Sequence, residues 1–425
     1  MTSKLLFGDC AELRQEKIDP KQYPDSNYIG LEHIAQESLL LLGYGKGSDV
    51  DSQKQKFYEG DILFGKLRPY FRKVIIAPFD GICSTDIWVV QPKANIDRDF
   101  LFYWMASKEF IDSASVASEG TRMPRAKWDW VTQFEVPMKK HKEQISTART
   151  LRLLDRKIQQ NAMLSETLEA IAQSIFKSWF IDFDPVHAKS RGEKPFGMDD
   201  VTAALFPDSF EESEIGMTPK GWSANVLGDV LSVLESGKRP KGGAQSVGVP
   251  SIGAESIRNL GQFDYASTKY VSPQFFQSMN SGKVKPYDVL VYKDGAGAGA
   301  HVTMFGEGFP YEDFAINEHV FLLRSDQVPQ SYLFFWLNNE NYKSLMVELA
   351  QKSAQPGLNQ KDMKSIPILK PDSSILAAFS ELISPIVEMI MKNSIQSYSL
   401  GQIREGLLPR LIYGELQIPE ESLVS

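Results

Sequence analysis

The chain has 425 residues, 42% hydrophobic and 24% charged, which is the makeup of an ordinary globular protein and more length than one hydrophobic core supports. Its net charge of -8 excludes a uniformly basic nucleic-acid binder. Two cysteines are too few for a disulfide framework or a thiolate zinc site. No apolar run reads as long enough for a bilayer, and MTSKLLFGDC lacks the apolar core of a signal peptide, so a cytoplasmic protein with no membrane partner is expected.

Residues 1–140 read as short β-like runs such as GDILFGK from Gly60, RKVIIA from Arg72 and TDIWVVQP from Thr85, separated by Gly, Pro and Asp turns. FLFYWMASKEFIDSASV, from Phe100, has apolar residues recurring at three and four, which predicts a helix buried in the core. Residues 141–180 form a second, longer helical pattern. No Pro or Gly interrupts Glu143 to Trp179, and Leu151, Leu154, Ile158, Ala162, Leu168 and Ile175 hold a seam together with Ile145, Ala148 and Ile171. A rod of about 55 Å, at roughly 1.5 Å per residue, is more than a small domain buries alone.

Residues 181–220 have the Pro, Gly and acid content of a connector, with a short helical hint near Val201. Residues 221–370 return to β-like runs, YDVLVYK from Tyr287 and HVFLLR from His319, and to the helical YLFFWLNNENYKSLMVELA from Tyr332. Residues 371–425 hold the second long helix and a tail, with Phe379, Ile383, Val387 and Ile390 on one face beside Ile375 and Tyr398, and Pro385 as an expected kink. The acid excess sits in 181–220, with nine acids against four bases, and in 371–425, with seven against three. The two large segments are thus near neutral and free to gather cations on one face.

The segments repeat each other. FLFYWM at 100 matches YLFFWL at 332 letter for letter in bulk and polarity. Phe7-Gly8-Asp9 answers Leu227-Gly228-Asp229, YIGLEHI from Tyr28 answers PSIGAESI from Pro250, GDILFGK answers YDVLVYK, and Val136-Pro137 answers Ile366-Pro367. A duplicated unit followed each time by a long helix predicts an α+β fold: two similar globular domains joined and separated by two long antiparallel helices forming a coiled coil, with an internal pseudo-two-fold.

The loops diverge where the scaffold agrees. Lys66 and Lys293 end matching strands, but Leu67, Arg68, Pro69, Tyr70, Phe71 and Arg72 follow the first and DGAGAG the second. GTRMPRAKWDW from Gly120 likewise stands opposite KSAQPGLNQKD from Lys352. Arginine grips guanine O6 and N7 with two bonds, asparagine and glutamine match adenine N6 and N7, and lysine, serine and threonine hold phosphates. The candidate DNA-binding residues are therefore Lys66, Arg68, Tyr70, Arg72, Thr121, Arg122, Arg125 and Lys127 in the first segment. In the second they are Lys238, Arg239, Lys241, Lys293, Ser353, Gln355, Asn359, Gln360 and Lys361.

Catalytic signatures are not visible. There is no phosphate loop of the Gly-x4-Gly-Lys-Ser/Thr type, no His-Glu-x-x-His, no Gly-x-Ser-x-Gly and no Asn/Asp-Pro-Pro-aromatic motif, and the five histidines are scattered. DGAGAGA at 294 imitates a dinucleotide loop, but HVTMF after it reads as extended, whereas such a loop opens a helix. No metal site and no catalytic residue is expected. A DNA methyltransferase or nuclease with a degenerate active site is the alternative reading, and a coiled-coil scaffold without a DNA role is a third.

SIFKSWFIDFDPVHAK from Ser174, LLPRLIYGEL from Leu407 and the paired strands resemble the specificity subunit of type I restriction-modification systems over essentially the whole length. The resemblance implies two target recognition domains, 1–140 and 221–370, and a helix pair, 141–180 and 371–425, that spaces them and docks partners. It implies a non-catalytic subunit that reads a bipartite DNA target and binds two methyltransferase subunits and the restriction-translocation subunits. S-adenosylmethionine, ATP and Mg2+ would be used by those partners, with no cofactor in this chain.

Overall fold

A computed structural model describes residues 3–418, apart from 117, 120–121, 266–267, 296 and 353–355. Two compact units result, one of Met1–Gln160 with Tyr398–Ser425 and one of Asn161–Ser397.

In unit 1, strands β1 (Ala11–Leu13), β2 (Ile62–Gly65), β3 (Val74–Ile76) and β4 (Ile87–Pro92) form an antiparallel sheet in the order β1-β4-β2-β3. Strands β2 and β3 and the first half of β4 are apolar on both faces because both are covered. Ile62, Phe64, Trp88 and Val90 share a core with helix α1 (Arg98–Met105), in which every residue from Phe100 to Met105 is buried. Leu63, Ile75, Ile87 and Val89 face the other way, onto Ile29, Phe57 and Cys83 of a five-stranded sheet. The aromatic run is thus core, as its spacing suggested. It is shorter than the sequence pattern implies, because Ser107 accepts a hydrogen bond from Phe110 N–H at 3.3 Å and starts a second helix, Lys108–Val116. Helix α2 (His141–Phe180) begins in this unit.

Unit 2 repeats the design. Strands β5 (Leu231–Ser236), β6 (Val289–Tyr292), β7 (Val302–Thr303) and β8 (Val320–Ser325) pair antiparallel in the order β5-β8-β6-β7. Helix α3 (Gln330–Asn338) is buried from Tyr332 onward, and Asn339 caps the next helix, Glu340–Ala350, as Ser107 does in unit 1. Each second sheet contains one parallel pair, Tyr28–Ile29 against Ile82–Cys83 and Ser251–Ile252 against Ala315–Ile316. The aspartates of the matching strand motifs close the same turn: Asp61 accepts from Tyr58 N–H at 2.9 Å, and Asp288 from Lys285 N–H at 2.7 Å. Each is also gripped by an arginine, Arg14 just past β1 in unit 1 and Arg324 within β8 in unit 2. Helix α4 (Ser373–Ile412) stays helical through Pro385.

Strand register corrects the sequence alignment. Leu6 pairs with Glu135 and Val226 with Pro367, so the second half lies 232 residues on, and Val136 matches Ile368, not Ile366. The connector is also more ordered than its composition suggests. It contains helices Asp184–Ser190 and Asp200–Leu205 and the hairpin Phe210–Ser213 with Gly216–Pro219.

The long helices pair within each unit. In unit 1, Ala148 and Leu151 of α2 share a core with Leu408, Leu411 and Ile412 of α4. In unit 2, Phe176 and Phe180 pack on Phe379, with ring centroids 5.9 and 5.0 Å apart, beside the buried Ile375, Ile383, Val387 and Ile390. Leu151 and Ile158 are buried, Leu154, Leu168 and Ile175 half-buried, but Ile145, Ala162 and Ile171 are exposed, a correction to the expected seam. The place of Ala162 is taken by Asn161, which is 1% exposed. The Asn161 amide donates to Ser397 Oγ at 3.3 Å and to Gln396 Oε1 at 2.8 Å, and the Asn393 amide donates to Ser165 Oγ at 3.2 Å. Residue 161 lies nearest 397 and 165 nearest 393, which makes the pairing antiparallel.

One expectation on apolar runs also changes. By length and composition α4 is apolar enough to cross a bilayer, the one such helix among the described residues. Ile375, Leu376, Phe379, Ile383, Val387, Ile390 and Met391 on it line the core of unit 2, while Leu382 and Met389 are exposed.

Candidate nucleic-acid interface

In unit 1 the loop from Lys66 to Arg72 joins β2 to β3. Its backbone is laced to the segment that follows residue 121: Arg68 N–H donates to Pro124 O at 2.8 Å, and Ala126 N–H to Lys66 O at 2.9 Å. Lys66 N–H in turn donates to Asp86 O at 2.9 Å. Unit 2 has the same ladder. Gly295 N–H donates to Pro356 O at 2.9 Å, Leu358 N–H to Lys293 O at 2.9 Å, and Lys293 N–H to His319 O at 3.0 Å. Loops far apart in sequence are thus stitched into one surface in each unit, by bonds that do not depend on side-chain identity.

The side chains on the two surfaces differ. In unit 1, Lys66 and Arg68 are half-buried, while Tyr70, Arg122, Arg125 and Lys127 are exposed. The Arg68 guanidinium donates to Arg122 O at 3.1 Å, and Tyr70 packs edge-on against Phe71 with centroids 4.8 Å apart. Arg125 is held by Asp86 through two bonds of 2.8 and 3.1 Å. That hydrogen bonding, followed by the charge of Asp86, raises the pKa of the guanidinium. Arg72 departs from expectation. Its side chain is 8% exposed and turned inward onto Glu405, so it is not a surface cation. Thr121 lies outside the described residues.

In unit 2, Lys293 is mostly buried, with Nζ 3.3 Å from Asp294 Oδ2 and 3.1 Å from Glu318 O, above the Phe321 ring. Arg239 is exposed and reaches Glu318 Oε1 at 3.6 Å, which brings the Lys238–Lys241 run to the same patch. Lys238 bonds to Asn280 Oδ1 at 2.5 Å, and Lys241 is exposed. Asn359 caps the helix Gln360–Lys364, its Oδ1 accepting from Lys361 and Asp362 N–H, and Gln360 donates to Leu234 O at 3.1 Å. Lys361 is exposed, whereas Ser353 and Gln355 lie outside the described residues.

Asp86, Asp294, Glu318 and His319 were not singled out from sequence. The first three hold cations of the loops, and His319 Nδ1 is 3.1 Å from Asp294 Oδ2. Asp86, Glu318 and His319 sit next to the start of a central strand, in TDIWVV or NEHVFL, and Asp294 just past the end of another, positions that could have flagged them. Among the described residues no group of three or more His, Cys, Asp or Glu side chains is placed to hold a metal ion. What the surfaces offer is guanidinium, ammonium, amide and hydroxyl groups on rigid ladders, which suits hydrogen bonding to base edges and phosphates.

Residues 7–170 match the family described as type I restriction modification DNA specificity domain. The chain is 26% identical to the HindI specificity subunit of Haemophilus influenzae, over 96% of this chain and 98% of that one. It is 25% identical to the MjaIX specificity subunit of Methanocaldococcus jannaschii, over 78% of this chain and 72% of that one. The crystal structure of a type I restriction-modification S subunit from M. genitalium shares the fold, with a TM-score of 0.55 over 96% of both chains at 14% identity. Residues 7–170, the first unit and most of the first long helix, thus match the type I restriction modification DNA specificity domain, and over 96% and 78% of its length the chain is similar to type I specificity subunits.

Proposed function

We propose that this chain is the non-catalytic subunit that gives a type I restriction-modification complex its DNA sequence specificity. Units 1 and 2 each read one half of a bipartite target in the cytoplasm, with residues 1–140 and 221–370 as the recognition domains. The chain docks the methyltransferase and restriction subunits, two of each, which use S-adenosylmethionine, ATP and Mg2+. The observation that carries the reading is the identical backbone ladder beneath two unlike loops, since one scaffold bearing two polar surfaces is what two different half-sites require.

The helix pair is read as the antiparallel coiled coil that separates the half-sites. The reciprocal bonds of Asn161 with Ser397 and Asn393 with Ser165 support an internal pseudo-two-fold, since a shift of 232 residues exchanges the two bonds. Requiring both half-sites at once multiplies specificity.

The test is to express the chain with its methyltransferase partner in a host lacking other modification systems and to map methylated bases across the genome. A single two-part motif with a fixed gap is expected, and Arg122→Ala should blur one half only. Absence of any gapped motif, or equal blurring of both halves, refutes the assignment.

A further inference from the structure

The inward-turned Arg72 ends the recognition loop of unit 1. Its Nη1 and Nη2 donate to the two carboxylate oxygens of Glu405, on α4, at 2.7 and 3.0 Å, and its Nε donates to Ala106 O at 2.6 Å. Glu405 Oε1 also accepts from Arg404 Nη2 at 2.8 Å. Arg404 Nη1 donates to Asp155 Oδ1 of α2 at 2.6 Å, and Asp155 Oδ2 accepts from Tyr103 Oη of α1 at 2.5 Å. One chain of bonds therefore runs from the loop to both long helices and the core helix, all inside unit 1.

The loop needs such a hold. Arg68 and Arg72, with φ of 51° and 49°, bracket the turn Pro69–Phe71 in the left-handed region, a conformation that L-residues with a Cβ rarely adopt. A conformation of that kind persists only where its surroundings dictate it. Bidentate pairing of a planar guanidinium fixes both position and orientation, as a lysine in its place would not.

Unit 2 solves the same problem without charge. The strand shift of 227 residues puts Gly299 where unit 1 has Arg72, and the helix shift of 232 puts Phe335, Val387, Ala172 and Gln173 where unit 1 has Tyr103, Asp155, Arg404 and Glu405. Phe335, Val387 and Ala172 are buried in an apolar core, and Gly299 packs against the Met346 backbone.

We propose that Glu405 is a positioning residue for target recognition by unit 1: through Arg72 it ties the Lys66–Arg72 loop to the helix pair, and unit 2 has no such dependence. This rests on the reading of that loop as a DNA-recognition surface.

The test uses the full chain with its methyltransferase partner and the genome-wide methylation map. Glu405→Gln should raise methylation of sites mismatched in one half-site by about tenfold, the discrimination of one well-placed bidentate contact, and leave the other half unchanged. Hydrogen exchange at Phe71 and Arg72 should quicken while Phe100–Met105 stays protected, which separates a loosened loop from an unfolded unit. The charge exchange Arg72→Glu with Glu405→Arg should restore the motif in part. Unchanged discrimination in Glu405→Gln, or equal loss at both halves, overturns the proposal while leaving the specificity reading intact. A wild-type map without any gapped motif defeats the specificity reading itself.

Discussion

Asp155→Val removes the carboxylate that receives Arg404 Nη1 and Tyr103 Oη. The Arg404 side chain is 4% exposed and that of Asp155 15%, so the variant leaves a buried guanidinium with Glu405 as its charged partner and Glu37 O as a further acceptor at 3.4 Å. Burial lowers the pKa of this guanidinium, but Asp155 and then Glu405 more than offset that effect in the wild type. Breaking a buried pair costs about 3–5 kcal/mol, and the surviving Glu405 contact puts the loss near the low end, about 3 kcal/mol. At about 2–4 °C per kcal/mol for a unit of this size, the unit 1 transition should fall by roughly 6–12 °C. Unit 2 supplies the control, with Phe335 and Val387 buried at the matching places. The triple variant Tyr103→Phe, Asp155→Val, Arg404→Met removes the whole polar set while keeping volume. It should return to within about 1–2 kcal/mol of wild type or exceed it, since apolar replacement of a buried ion pair is often neutral or stabilising. Differential scanning calorimetry of the full chain, with hydrogen exchange over Phe100–Met105 to assign the transition, reads both. A single variant that melts like wild type, or a triple variant that melts below the single, refutes the reasoning.

Three further outcomes are expected. Gly299→Ala should lower the melting temperature of unit 2 by several degrees, because φ is +80° there and a Cβ would lie 2.6 Å from Met346 Cβ; an unchanged melt would mean the helix Glu340–Ala350 yields freely. Burial raises the pKa of Glu169 above 4.5, so this group favours the folded state most fully below that pH and loses the effect as pH rises through its folded value. Glu169→Gln should therefore stabilise the protein at pH 7–8, with the gain shrinking towards pH 4, as followed by thermal unfolding across pH. Cys10 and Cys83 are both buried, and burial, then Asp9, pushes the Cys10 thiol up to about 11. A thiol-specific chromogenic reagent at pH 8 should find neither in the native protein and both in guanidinium chloride.

Much of this architecture was legible in the letters because duplication writes every structural demand twice. The aromatic helices and the long helices follow from spacing and apolar period alone. Three kinds of fact were hidden. The seam of α2 slips from Ala162 to Asn161, since apolar period cannot anticipate a buried amide whose partners, Gln396 and Ser397, lie on the other helix. Arg72 looked like its surface neighbours, because only the fold brings Glu405, far along the sequence, to meet it. The order within the connector rests on Phe206, Trp222 and Val186 joining the core of unit 2, a contact that its Pro, Gly and acid content does not announce.

The two reciprocal amide-to-hydroxyl bonds make the helix pair a combination lock. Each rod spells Asn-x-x-x-Ser, one turn apart, and only one sliding position of one rod along the other, running in opposite senses, sets each asparagine against the other's serine. Any slip would strand buried amides among aliphatic neighbours, at about 1–3 kcal/mol for each unmatched group. A hydrophobic stripe alone would tolerate such slippage, so these four small polar residues hold the pair in a single setting.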